Sequence, residues 1–361
     1  MNSFGTHFRV SIFGESHGPQ LGVVLDGVPA GLPLCEEDFL EDIARRAPGA
    51  PGTTPRKESD LPHLLSGVYE GHTTGAPLTI VFDNANTRSG DYSQFAAQPR
   101  PGHADYTAQV KYGGFQDAAG GGHFSGRLTA PLCIAGGLCK QWLAERGIRV
   151  AARIAAMAGV ADDFAVNPLN PQLDLIGNDF PVFSPDAGAR MREKIAEARS
   201  DCDSVGGIIE CYITGVPAGL GEPMFGGVES RIAQIVYGVP AVKSVEFGVG
   251  CEAANLRGSQ CNDAFTIDDG QICTLTNNAG GILGGITNGM PVIFRAAIKP
   301  TPSISRPQQS VSLSKAQEQE LVVKGRHDPC IVPRAVPVIE AAAAIALFDL
   351  ILGNTQTDRR K

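Results

Sequence analysis

Three short segments of this 361-residue chain set an imidazole beside groups with which it could exchange protons. Gly14-Glu15-Ser16-His17-Gly18 holds His17 between a serine hydroxyl and a glycine, a tight-turn context that exposes the ring. Arg100-Pro101-Gly102-His103-Ala104-Asp105 gathers a guanidinium, an imidazole and a carboxylate. Lys324-Gly325-Arg326-His327-Asp328-Pro329 adds two cations, a third imidazole and an acid, and Pro329 keeps Asp328 out of helical geometry. Histidines in turns punctuated by Gly and Pro suit general acid–base work.

Other chemistries fit these segments less well. Residues 14–18 match the G-x-S-x-G nucleophile elbow, which needs a strand before it and a helix after it. A strand is expected at 8–13, but Pro19 and the run LGVVLDGV at 21–28 read as a second strand. His103 and Asp105 have a spacing that could serve a metal, yet no second ligand cluster accompanies them and none is expected to bind one. The triplet Gly120-Gly121-Gly122, followed by Ser125 and Arg127 at the start of a predicted helix, reads as an anion site built from freed backbone N–H groups. It lacks the terminal G-K-[ST] of a P-loop. Lys299, Thr301 and Ser303 lie on a proline-stiffened segment, and the glycines of 280–291 would let a flat ring or phosphate approach the backbone.

The elements that must position these residues are legible in outline. Strands are expected at 8–13, 21–28, 75–82 and 205–216. Helices are expected at 35–49, 125–147, 184–200 and 334–353, with Ser184 capping the third. The stretch from about 160 to 184 reads as a surface excursion, and 47–62 and 84–102 as long polar loops. Strands and helices do not alternate as a doubly wound sheet requires, so the expectation is α+β, with helices packed against antiparallel sheets. GVPAGL occurs at 27–32 and again at 215–220, and the T-x-G-x-P strand at 73–82 has a counterpart at 287–296. An internal duplication is therefore expected, of about 8–150 and 200–353 within one domain, with a polar tail at 354–361.

Composition narrows the partners. A net charge of −8 and 6% aromatic residues argue against a nucleic-acid ligand, so an anion must be drawn in by local basic clusters. No apolar run approaching a membrane span is read in the sequence, and the N-terminus reads as lacking a signal peptide. Nine cysteines without a C-x-x-C pair suit reduced thiols in a cytoplasmic protein.

In order along the chain, FGESHG, DGVPAGLPL, RPGHADYTAQVKYG, GGGHFSGRLTA, GVPAGLGEP, AVKSVEFG, NNAGGILGGITNG, KPTPSISRP and GRHDPCIVPRAVPVIEA resemble chorismate synthase. The resemblance implies a homotetramer with a βαβ sandwich fold. It also implies conversion of 5-enolpyruvylshikimate-3-phosphate to chorismate with reduced FMN, NADPH being the candidate reductant. It gives His17 the role of protonating the departing phosphate and His103 that of protonating the flavin, while Asp328 assists deprotonation. Ser16, Arg46, Arg100 and Arg127 would hold the substrate. His123, Ser125, Ala241, Gly284, Lys299, Thr301, Ser303 and Arg326 would contact FMN. The chain departs from the pattern where many members read G-G-R-S-S-A-R-E-T: His123 and Phe124 stand for an arginine and a serine. Gly52 and Pro240 depart too, replacing an arginine and a common asparagine. A flavin-binding protein without activity is the rival; it would bind oxidised and reduced FMN alike.

Overall fold

The computed structural model describes residues 1–48, 60–84, 94–323 and 327–354. Two five-stranded antiparallel sheets enclose a layer of helices. The first contains β1 (Ser3–Phe4), β2 (Arg9–Gly14), β3 (Gln20–Asp26), β4 (His63–Ser66) and β5 (Leu78–Asp83), in the order β1-β2-β3-β5-β4. The second contains β6 (Arg149–Met157), β7 (Val160–Ala161), β8 (Gly207–Thr214), β9 (Val242–Phe247) and β10 (Val292–Ile298), in the order β9-β10-β8-β6-β7. Helices α1 (Leu40–Arg46), α2 (Asp105–Tyr112), α3 (Thr129–Ala144), α4 (Pro185–Ser200), α5 (Val228–Val236) and α6 (Val332–Gly353) complete the frame. Both α3 and α6 lie between the sheets: α3 packs on β3 and β6, and α6 on β6, β8, α1, α3 and α5. The α+β expectation holds, with every ladder in the two sheets antiparallel.

Helix α6 is long and apolar enough to cross a membrane, contrary to the reading of the sequence as having no such run. It is instead the centre of the core, with 83% of its apolar window buried. Its alanine run lets α3 approach closely. A Cβ on Gly136 would lie 2.2 Å from that of Ala341, so only glycine fits there. The two carboxylates of α6 are paired. Glu340 accepts a bidentate contact from Arg45 at 2.7 and 2.8 Å and one from the Ala152 N–H at 2.9 Å, which ties α1 and β6 to the core.

Two stretches of the chain share an order of elements, although α4 intervenes between β6 and β8 and has no counterpart between β2 and β3. In each, two paired strands lead to a GVPAGL turn, a helix and a T-x-G-x-P strand that pairs with the strand before the turn. The turns share one hydrogen-bond set. Thr73 Oγ1 donates to Pro29 O at 2.6 Å and accepts from Leu32 N, while its carbonyl takes Gly31 N. Thr287 does the same with Pro217, Leu220 and Gly219. This is the pattern that a duplicated segment would leave. Expected boundaries shift by a few residues: a 3-10 turn at Gly126–Leu128 precedes α3, and α6 begins at Val332. Strands β6 and β9 and helix α2 were not expected, and α5 is the helix expected after the second GVPAGL turn.

Near the end of α6, Asp349 Oδ1 accepts from the backbone N–H groups of Thr6, His7 and Phe8, and Oδ2 pairs with Arg231. Burial raises its pKa, but these donors outweigh burial and the net effect is to lower it. A depressed folded pKa contributes stability that is present above the unfolded value, near 4, and is lost as pH falls through the folded one. Asp349→Asn is expected to lower the unfolding free energy at pH 7 by about 3 kcal/mol. The mutant's stability should also fall less steeply than the parent's below pH 5, as read by denaturant titration at several pH values.

Candidate active site

Three consecutive glycines form the floor of the site. Gly120, Gly121 and Gly122 have φ of 61°, 86° and 51°, a left-handed run that L side chains rarely adopt. The sequence reading made them an anion site at a helix N-terminus. They lie instead in a separate irregular turn, Ala119–Phe124, before α3, and their role is close approach. A Cβ on Gly120 would sit 2.0 Å from His17 Nδ1, and one on Gly121 would sit 3.1 Å from His103 Nε2. Gly122 O accepts from Ser16 N at 3.1 Å, fastening the β2–β3 turn to the same floor. The strand that follows that turn is β3, so the helix an elbow requires is missing. His17 Nδ1 lies 3.2 Å from Ser16 Oγ.

His103 is fixed by Asp105, its Nδ1 lying 2.5 Å from Oδ1. An Nδ1–H donated to that carboxylate leaves Nε2 as the exchanging nitrogen. Asp105 also takes Arg100 through both oxygens, from Nε and Nη2 at 2.8 Å each. Burial raises the Asp105 pKa, but the hydrogen bonds from Arg100 and His103 outweigh it and hold the carboxyl well below the usual carboxylate range. Arg100 further donates to Ser303 Oγ at 3.1 Å and lies over the Phe95 ring.

A second acid organises the other cations. Buried Asp60 accepts from Arg46 Nη1 at 3.2 Å and from Arg127 Nη1 at 2.6 Å. One carboxylate thus orients two guanidiniums. Arg46 is also held by Thr129 Oγ1 and Gly126 O, and Arg127 by Asn84 Oδ1. Asp328 pairs with Arg334 at 2.5 Å.

These groups surround one cavity of about 1270 Å³. Ser16, His17, Arg46, Arg100, His103, His123, Ser125, Arg127, Ala241, Lys299, Thr301, Ser303 and Asp328 all line it, as the sequence reading requires. Gly284 does not; it lies in the exposed turn between Ile282–Leu283 and Ile286–Thr287. Arg326, Gly52, residues 49–59 of the first long polar loop and 85–93 of the second fall outside the described residues. Asp60, Asn84, Asp105, Lys243 and Arg334 were missed as site residues. Only Asp105 carried a local signal, its spacing from His103, which had been weighed as a metal pair. No group of three or more His, Cys, Asp or Glu suited to a metal occurs among the described residues.

Among the described residues, six cationic side chains line the cavity against three carboxylates, in a chain of net charge −8. Such a site suits a ligand with several negative charges. Its volume exceeds the usual range for one small ligand, roughly 300–1,000 Å³, so two can bind side by side. On one wall a bulge in β9 falls at Lys243, near Lys299. Burial and the Lys243 charge both lower the Lys299 pKa. Beside them Thr301 Oγ1 is buried with no hydrogen-bond partner among the described residues. Two lysines, an unpaired hydroxyl and Ala241 at φ 73° fit the phosphate-bearing end of a flavin mononucleotide. His123, at the family's arginine position, contacts Gly14 O and Asn2 Oδ1 through its two ring nitrogens.

Comparison with known proteins agrees with this geometry. The family model described as chorismate synthase matches residues 8–352. The chain is 49% identical to the chorismate synthase of Chitinophaga pinensis, over 99% of each chain. It is 46% identical to that of Aeropyrum pernix, over 97% of this chain and 93% of the relative. A crystal structure of chorismate synthase superposes with a TM-score of 0.75 at 28% identity, covering 97% of this chain and 92% of that one.

Gly120→Ala is expected to displace the His17 ring. In imidazole NMR spectra the His17 signals should move, whereas Gly258→Ala, where a Cβ meets nothing within 4 Å, should leave them in place. Unmoved His17 signals in Gly120→Ala would show that the floor does not set the ring.

Proposed function

The chain belongs to the chorismate synthase family, and we propose that its cavity carries out that family's reaction with the residues described above. The reaction is the 1,4-elimination of phosphate from 5-enolpyruvylshikimate-3-phosphate, giving chorismate in the shikimate pathway. The observation that carries the assignment of roles is the convergence of His17, His103 and Asp328 on one cationic cavity.

The substrate bears a phosphate and two carboxylates. Arg46 and Arg127, oriented by Asp60, and Arg100, oriented by Asp105, supply the matching cations. Charge-assisted contacts of this kind are geometrically specific and hold the ring in a fixed pose. His17, pressed against Gly120, delivers a proton to the phosphate as it departs. His103 presents Nε2 across Gly121 and, with Nδ1 committed to Asp105, holds a proton for the flavin. Asp328 takes part in removing the hydrogen from the far end of the allylic system. That hydrogen is too weakly acidic for a carboxylate alone. Reduced flavin, when bound, supplies the electron density that lets the C–O bond break.

Lys299, Thr301, Ser303, Ser125 and Ala241 are the residues assigned to the flavin. The finer attributes belong to the same proposal: FMN as the flavin, NADPH as its reductant, and a homotetramer in the cytoplasm.

The test is chorismate formation under anaerobic conditions with dithionite-reduced FMN. Asp328→Asn is expected to bind FMN normally and to turn over at least about a hundredfold more slowly. Turnover within a few-fold of the parent would remove Asp328 from the mechanism. His17→Ala and His103→Ala should each slow phosphate release in the same assay by about two orders of magnitude.

A further inference from the structure

Arg334 occupies a position that helix electrostatics disfavours. It lies in the first turn of α6, where the helix carries partial positive charge and a cation is destabilising. Something other than helix stability accounts for a guanidinium there. Its contacts supply the reason. Nε donates to the backbone carbonyl of Arg46 at 2.9 Å, and Nη1 pairs with Asp328 Oδ2 at 2.5 Å. Arg46 is the last residue of α1, so its carbonyl is one that the helix itself leaves open. A planar guanidinium engaged at both edges cannot rotate without breaking one contact. All three residues line the cavity.

We infer that Arg334 is a positioning residue for Asp328, locking the carboxylate in register with the Arg46 end of the substrate site. The need for such a lock follows from the surroundings. Among the described residues, the charged side chains lining the cavity beside Asp328 are mainly cations, and a free carboxylate would swing toward whichever guanidinium was nearest. Arg46, Arg100 and Arg127 are committed to Asp60 and Asp105, and Arg334 takes up Asp328. Asp60, Asp105 and Asp328 thus each have an assigned cation, and the ligand-binding cations keep their orientation. Because Arg334 is tied to the Arg46 carbonyl, a change in the Arg46 segment on ligand binding is passed to Asp328 through one rigid group.

The inference rests on the role given to Asp328 above, and its test separates the two. Arg334→Ala, Arg334→Lys and Asp328→Asn, and the double variant Asp328→Asn with Arg334→Ala, are compared by anaerobic steady-state kinetics, FMN titration and thermal melting. Arg334→Ala is expected to lose about tenfold to a hundredfold in kcat, with KM for 5-enolpyruvylshikimate-3-phosphate changed less than about threefold. Added guanidinium ion should restore part of that kcat. The lysine variant, a point charge unable to bridge both contacts, should recover little of it. In the Asp328→Asn background, removing Arg334 should cost no further kcat. Loss of thermal stability with kcat intact, or kcat losses that multiply in the double variant, would reduce Arg334 to a cap on α1. A normal Asp328→Asn would sink the role of Asp328 first. Should Arg334→Ala not fold, Arg334→Lys and Arg334→Gln carry the same comparison.

Discussion

Left-handed backbone at three successive residues is the constraint on which this site depends. Gly120, Gly121 and Gly122 present bare peptide to two rings that arrive from separate parts of the chain, His17 from the β2–β3 turn and His103 from the segment before α2. Any side chain at the first two positions would push an imidazole away. The close approach fixes where the two imidazoles sit, and the rest of the fold brings the arginines Arg46, Arg100 and Arg127 to the same cavity. The two sheets and the buried α6 hold α1, and α1 delivers Arg46. The ion pair between Arg45 and Glu340 anchors the same helix from behind.

The site also shows how an acidic protein can hold a polyanion. Each principal arginine is paired with a buried acid, which orients the guanidinium and lowers the cost of burying it. Orientation, more than net charge, is what these acids contribute. Arginines left to solvent would spend conformational freedom on binding; here that freedom has already been lost on folding. The depressed pKa of Asp105 keeps its carboxylate ionised across the physiological range.

Much of this was legible in the residues. The segments bearing His17, His103 and Asp328 stood out because Gly and Pro locally set their geometry, and the repeated GVPAGL turn was visible in the residues because the same turn chemistry recurs at Thr73 and Thr287. Asp60 and Arg334 could not be found that way: Asp60 joins Arg46 and Arg127 only through the tertiary fold, and Arg334, though six residues from Asp328, meets the Arg46 carbonyl only there. Strand β6 was hidden by its alanines, which suit a helix as well as a strand and take their conformation here from pairing with β8. The glycine triplet was read as an anion cradle because its freed N–H groups are what local sequence shows; the rings that press on it come from elsewhere. Helix α6 was legible as a helix, but its place between two sheets, with Glu340 and Asp349 neutralised by Arg45 and Arg231, was not.

The proposed function places flavin and substrate side by side in a single cavity, each forming part of the other's binding surface. The most direct measurement is the affinity of FMN, followed by flavin fluorescence, with and without saturating 5-enolpyruvylshikimate-3-phosphate. The account predicts FMN binding at least about tenfold tighter in the presence of substrate, a coupling of about 1.4 kcal/mol. Equal affinities, or displacement of FMN by the substrate, would contradict it.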